Sequence, residues 1–342
     1  MAKIAAELER ALADRQMHGG SGHLTFRVLA HGKGWAVQDV LCTSGPQDHS
    51  FEEQHSRFTI ALVLAGTFQY RAAAHSFGRG GELMSPGSFL LGNAGQPFEC
   101  GHEHGAGDRC LSFWYAREYF ERVATDAGIR DSTLAFRVLR LPPLRVFSPL
   151  FARAASGVTG CVTSEGHKLS GLQKTMSSLA DFAWEEVAVQ LVAQTIQLAS
   201  SLSPKLIDAP PSAVARVTRA IRMIERDYLG ERGFTLSSLA RAAGLSPYHF
   251  VRVFEGITGV TPYQYVLRRR LRNAATRLLS DPAKVLEIAL DCGFGDVSNF
   301  NRAFRAEFGV SPREFRRTIN DSACYNDISM SRTAKRLKSV TN

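Results

Sequence analysis

Two arginines fifty positions apart occupy the same local pattern. Phe250-x-Arg252-x-Phe254 leads to Gly259-Val260-Thr261-Pro262 and Tyr265. Phe300-x-Arg302-x-Phe304 leads to Gly309-Val310-Ser311-Pro312 and Phe315, so six positions are identical and two are conservatively exchanged. Repeated Phe, Gly and Pro require only a copied packing unit, whereas a repeated arginine between two core phenylalanines requires a second reason. Placing residues at steps of about 100° separates the faces. Phe250, Val253, Phe254 and Ile257 fall inward, leaving Tyr248, Val251, Arg252 and Glu255 outward, next to His249. Phe300, Ala303 and Phe304 fall inward, leaving Ser298, Asn301, Arg302 and Arg305 outward. An arginine fork fits guanine O6/N7, asparagine can pair with adenine, and Ser or Tyr can hold phosphate. The alternative is a pair of arginines on a solvated helix face, and the recurrence of one residue in one motif argues against it.

A second chemistry-bearing stretch is Cys100-Gly-His102-Glu-His104-Gly-Ala-Gly-Asp108-Arg-Cys110. Cys100, His102, His104 and Cys110 could bind zinc or another soft metal, and Cys100 with Cys110 could form a redox pair. The spacing matches no common zinc pattern, so the reading carried forward is a polar, glycine-rich loop beside a strand, with no metal and no cofactor expected. The Gly-x-Gly at 105–107 is too short for a phosphate loop. The six cysteines are scattered without a CxxC pair and read as reduced thiols.

The outward arginines need helices to carry them, and the C-terminal third reads as seven: 214–229, 236–243, 247–258, 262–279, 283–292, 296–308 and 312–318. Pro247, Pro262 and Pro312 suit first helical positions, with Ser246, Thr261 and Ser311 before them as N-caps. Upstream, Leu239-Ala240 and Ala243-Gly244-Leu245 align with Ile288-Ala289 and Cys292-Gly293-Phe294 at an offset of 49, so the register slips by one residue in the turn. Glycine there permits a positive φ and a steep exit, the helix-turn-helix geometry. The run Arg268-Arg269-Arg270-x-Arg272 reads as a solvated face from which one or two side chains touch phosphate.

Earlier in the chain, 1–17 looks helical. Leu24–Leu29, Trp35–Leu41, Phe58–Leu64, Thr67–Arg71, Ser88–Leu91 and Cys110–Tyr115 look like short strands broken by glycine, which argues for a small barrel or sandwich. Helical signals return at 117–127, 148–156 and 172–202, the last with an apolar stripe read as packing on the barrel plus a dimer contact. The fold class expected is α+β multidomain. Its parts are an N-terminal helix (1–20), a barrel (21–116), a helical segment (117–202), a linker (203–212), an all-α domain (213–320) and a disordered tail (321–342). Charge divides along the same lines: of the net +9, residues 1–211 carry −1, 212–320 carry +8 and 321–342 carry +2. Seventeen of the eighteen basic residues in 212–320 are Arg, which points to a polyanion-binding module attached to a neutral one. The longest strongly apolar run, Ile60 to Ala65, is far short of a membrane helix, and the N-terminus has no signal-peptide pattern, so a cytoplasmic protein with no membrane partner is expected.

The Leu-Ala-x-x-Ala-Gly-Leu-Ser turn, the Gly-Val-Thr-Pro-Tyr-Gln-Tyr continuation and the Ile-Ala-x-x-Cys-Gly-Phe-x-Asp-x-Ser-x-Phe-x-Arg-x-Phe run make 214–318 resemble the DNA-binding domain of AraC/XylS transcription regulators. The resemblance implies two helix-turn-helix units joined by the helix at 262–279, entering successive major grooves about 34 Å apart. It places Tyr248, Val251 and Arg252, and Ser298, Asn301 and Arg302, at base-reading positions. Val251 and Val297 depart from the polar residues frequent at such places, which leaves thymine-methyl contact there. The segment 24–115 is similar to the cupin-like effector barrels such regulators carry. Pro86-Gly87 fits a turn of those barrels, but His49 and His55 lack an HxH partner and Leu91 stands where a later histidine belongs, so no cupin metal is expected.

The expectation is therefore a sequence-specific transcription regulator, not an enzyme. Its partners would be double-stranded promoter DNA, RNA polymerase, a small-molecule effector and a second copy of the chain, on the nucleoid, with effector binding acting across 203–212. The rivals are a cupin-type enzyme with catalytic metal at His102, His104 and Cys110 and a basic helical appendage, and a DNA-coating protein without sequence preference.

Overall fold

The computed structural model of the chain describes residues 1–72, 81–129, 135–160, 171–202, 209–227 and 234–317. After helix α1 (Ala2–His18), the strands run β1 (Leu24–Gly32), β2 (Trp35–Cys42), β3 (Phe51–Gln54), β4 (Phe58–Gly66), β5 (Phe68–Ala72), β6 (Glu82–Met84), β7 (Phe89–Gly92), β8 (Pro97–Gly101) and β9 (Asp108–Tyr115). Helix α2 (Arg117–Asp126), strand β10 (Arg140–Leu141), and helices α3 (Ser148–Gly160) and α4 (Gly171–Ser201) complete the N-terminal part. The strands form two antiparallel sheets, ordered β1-β2-β9-β4-β7-β10 and β3-β8-β5-β6.

Strand β4 explains how the layers stack. Its continuous apolar run is buried on both faces because successive side chains alternate. Ile60, Leu62 and Leu64 join the core under the helices, while Ala61 and Val63 face the second sheet together with Phe68, Tyr70 and Leu90. Helices α1 to α4 cover the outer face, contributing Leu8, Phe120, Phe151, Trp184 and Leu191. The described side chains of the α4 stripe, from Trp184 to Ala199, are thus spent on the barrel, and Tyr115 donates its hydroxyl to the Ala188 carbonyl at 2.9 Å. Buried Arg109 on β9 grips Asp39 with two bonds of 2.8 and 2.7 Å and reaches Glu7, locking α1 to the sheet.

Each of the six strand segments read from the sequence coincides with a strand, with Thr67 and Ser88 falling just ahead of β5 and β7. β3, β6, β8 and β10 are additions, and β10 falls inside the segment expected to be helical. They are two to five residues long; β3, β6 and β8 carry Glu52, Glu53, Glu82 or Glu99, and β10 is only Arg140 and Leu141, so little strand propensity is there to read and pairing with a neighbour makes them strands.

The C-terminal part comprises α5 (Pro211–Arg226), α6 (Leu236–Ala243), α7 (Pro247–Thr258), α8 (Pro262–Ser280), α9 (Val285–Asp291), α10 (Val297–Phe308) and α11 over 312–317. The first helix opens at Pro211, inside the expected linker; 203–208 and 318–342, with the expected tail, lie outside the described residues. Two small cores result, one around Phe250, Phe254, Ile257 and Tyr265, the other around Phe300, Phe304, Phe308 and Phe315. Helix α8 spans both, lending Tyr265 to the first and Leu271, Ala274 and Leu278 to the second.

The arginine run on α8 is a correction to the sequence reading. It is not a solvated face. Arg269 and Arg272 are 4% exposed each. Arg269 binds the Glu225 carboxylate and carbonyl, Arg268 donates to the Pro143 carbonyl at 2.7 Å, and Arg272 donates to the Pro86 carbonyl at 3.1 Å with its guanidinium over the Phe151 ring. The run fastens the helical domain to the barrel. Arg140 on β10 completes the attachment, donating to the Ile257 and Thr258 carbonyls at the end of α7, 3.0 Å each, while paired with Glu82. Ser148 and Arg268 together hold Glu307 near the end of α10.

Candidate nucleic-acid interface

Each unit is a helix, a glycine turn and a second helix whose back is buried. Gly244 ends α6 at φ 63° and Gly293 follows α9 at φ 83°, conformations that side-chain-bearing residues rarely adopt. The one-residue slip is absorbed by Gly295, an extra residue in the second turn. The N-cap oxygens are where the spacing predicts for α7, α8 and α11: Ser246 accepts from the His249 amide, Thr261 from Gln264 and Ser311 from Glu314, at 3.3 to 3.4 Å. Asp296 caps α10 through the Asn299 amide at 2.6 Å.

Phe250, Phe254, Phe300 and Phe304 are completely buried, and truncating any of them to Ala costs about 3–5 kcal/mol. That anchoring turns Tyr248, His249 and Arg252 on α7, and Ser298, Asn301, Arg302 and Arg305 on α10, out to solvent. Tyr248 is 74% exposed and lies 5.9 Å beneath the Arg252 guanidinium. Arg302 donates to the Asn299 side-chain oxygen at 3.2 Å, and Arg305 sits 3.8 Å from Glu314. Val251 is only half-exposed and lines, with Arg270 and Asn299, a concavity of about 400 Å³ between the two units. Val297 is likewise half-buried. Asn299 was not among the residues read from the sequence; its only signal is its place three positions before Arg302, one helical turn away.

The barrel holds a half-open cavity of about 330 Å³, with Phe26, Val40, Phe98 and Trp114 among its apolar walls. His55 lies at one side, its Nε2 2.7 Å from the Tyr70 hydroxyl and its ring stacked on Phe98, and burial lowers its pKa to about 4. His49 is exposed and apart. Of the four Cys and His candidates, His102 and Cys110 meet at one carboxylate: His102 Nε2 lies 2.7 Å and Cys110 Sγ 3.2 Å from Asp108. Cys42 joins them from β2, a residue sequence spacing could not connect because the link is the β2–β9 ladder, in which Cys42 and Asp108 are opposite partners. His104 is outside this group, 4.0 Å from Glu103. Burial opposes a charge on His102, but hydrogen bonds and charges from Asp108 and Cys42 prevail and raise its pKa to about 10.

Comparison with known proteins bears on the helical part most directly. A family described as "Helix-turn-helix domain" matches residues 239–318. The chain is 32% identical over 111 residues to the "Probable transcription factor PqrA" of Proteus vulgaris, an alignment covering 32% of this chain and 91% of that protein. The chain belongs to the AraC/XylS family of transcription regulators. Among AraC/XylS relatives, the "Transcriptional activator NphR" of a Rhodococcus species extends the likeness into the N-terminal part, at 27% identity over 266 residues, 76% of this chain and 70% of that one. A solved structure of the DNA-binding domain of AdpA, in complex with a target DNA, is 28% identical and covers 31% of this chain and 95% of that chain, with a TM-score of 0.30. No helix among the described residues is long and apolar enough to cross a membrane.

Proposed function

We propose that this AraC/XylS regulator binds promoter DNA by setting α7 and α10 into successive major grooves, with Arg252 and Arg302 reading base edges and Tyr248, Ser298 and Asn301 flanking them. One observation carries the reading. The repeated arginine is exposed at the same place on two helices whose opposite faces are anchored by the fully buried Phe250, Phe254, Phe300 and Phe304. His249 and Arg305 lie on the same exposed surfaces and suit phosphate; Val251, half-buried, suits an apolar contact at most. Gel shifts with Arg252→Ala and Arg302→Ala test this against matched and scrambled promoter fragments. Unchanged discrimination between the two fragments would overturn it.

The barrel cavity is the effector site in this reading. Its volume and apolar walls suit a small organic molecule, with His55, held from behind by the Tyr70 hydroxyl, as the polar anchor. A route from cavity to DNA helix follows from the contacts. Leu90 lines the cavity and is the ladder partner of Arg140, whose guanidinium holds the end of α7. An effector that moves β7 thereby changes how α7 is held, a route of coupling beside the 203–212 segment. Homodimerisation, RNA polymerase as partner, a cytoplasmic site of action on the nucleoid and the lack of enzymatic activity belong to the same reading. The metal-enzyme rival drew on His102, His104 and Cys110 together, and His104 stands apart from the other two.

A further inference from the structure

We propose that Cys42, His102 and Asp108, with Cys110 as fourth donor, form a binding site for one thiophilic divalent cation of the Zn²⁺ kind at the inner wall of the barrel. The donor atoms of the first three lie within 4.8 Å of one another, and all three residues are buried. Around a zinc ion with bonds of about 2.0–2.3 Å, neighbouring donors stand roughly 3–4 Å apart, so small side-chain adjustments close the site. Two thiols, an imidazole and a carboxylate make a donor set that suits zinc and disfavours magnesium or calcium.

Three features of the surroundings support a cation here. Cys42 and Asp108 are opposite partners in the β2–β9 ladder, so the backbone fixes two of the donors before any ion arrives. The Ser44 amide points at Cys42 Sγ from 3.5 Å, the kind of contact that favours a metal-bound thiolate. Cys42, Asp108 and Cys110 also line the cavity, which gives the ion a way in, while His102 closes the group from the direction of Phe68. As the ion enters, the protons on the two thiols and on His102 leave to solvent, and the His102–Asp108 hydrogen bond gives way to two bonds to the metal. The site opens on the same cavity as His55 but shares no donor with the His55–Tyr70 pair, and it does not depend on the reading of the DNA interface.

The test uses the full chain, stripped with chelator under reducing conditions and titrated with Co²⁺. One equivalent should produce a thiolate-to-cobalt charge-transfer band with strong visible d–d bands, and Zn²⁺ should abolish both. Cys42→Ser and His102→Gln should weaken binding on the order of 100-fold. Should either variant fail to fold, the wild type decides alone. Zn²⁺ should slow alkylation of Cys42 and Cys110 by at least about ten-fold, because the metal occupies the reactive thiolate, and leave Cys292, in the helical core, unaffected. A Co²⁺ spectrum without the thiolate band, an unchanged band in both variants, or alkylation rates indifferent to Zn²⁺ would overturn the proposal.

Discussion

Arg252 and Arg302 occupy equivalent places but have different company. Arg252 lies over its own Tyr248, whereas Arg302 is steered by the Asn299 oxygen. Replacing either with Ala should cost about 1–3 kcal/mol of sequence-specific affinity. The two losses should nearly add, since the residues share no partner; fluorescence anisotropy with single and double variants checks both. Asn299→Ala should relax discrimination at the Arg302 contact and leave the Arg252 contact untouched, which binding-site selection would reveal. His55 gives a prediction of another kind. Its ring meets Tyr70, Phe98 and Gly92, all uncharged, and burial holds its pKa near 4 against an ordinary 6.5. The unfolded chain therefore binds the proton more readily. Stability is fully present above about pH 6.5 and declines by about 3 kcal/mol as pH falls toward 4. Urea denaturation of His55→Phe should show a shallower loss between pH 6.5 and 4 than the parent chain.

Helices and turns were legible where their causes are local. The caps at Ser246, Thr261 and Ser311 and the glycine turns at 244 and 293 follow from side chains acting on their own neighbours, and the structure has each of them. Arg268 to Arg272 was misread because helical period says which residues share a face, not what covers that face. The same limit hid β10, two residues that are a strand only because Leu90 and Phe89 pair with them. It also hid Cys42, which meets Asp108 across a ladder of distant sequence. Two substitutions probe the elements that hold α7 and α8. Arg140→Ala removes two charged hydrogen bonds to the α7 carbonyls and should cost about 1.5–3 kcal/mol for each bond lost, with faster hydrogen exchange at the end of α7. Gly87 sits at φ 93°, and a Cβ there would lie 2.3 Å from the Arg272 guanidinium. Gly87→Ala should lower the thermal midpoint through at least about 1–2 kcal/mol of backbone cost and loosen α8.

At the scale of the whole molecule, the charge imbalance that suggests a polyanion partner overstates how much charge faces outward. Arg268, Arg269, Arg272, Arg277 and Arg316 are engaged internally, with carboxylates or carbonyls of the protein. Among the described residues of the helical domain, Arg219, Arg226, Arg241, Arg252, Arg302, Arg305, Arg313 and Arg317, with Lys284, are exposed. If the five on or beside the two reading units, Arg241, Arg252, Arg302, Arg305 and Arg313, neutralise phosphate or base-edge charge, they should contribute about −4 to −5 to the slope of log affinity against log salt. Arg268→Ala should leave that slope unchanged, and Arg305→Ala should reduce it by about one. The attachment through Pro86, Arg140 and Pro143 has a consequence for exchanging parts between proteins. A cut at the 203–212 segment would give a DNA-binding fragment whose α7 ends in two carbonyls stripped of their arginine and whose α8 carries a guanidinium with no acceptor. A hybrid made by grafting that fragment onto a foreign sensor would inherit reading heads without the scaffold that spaces them. The unit fit for transplantation includes the strip of barrel from Glu82 to Gly87 and from Arg140 to Ser148.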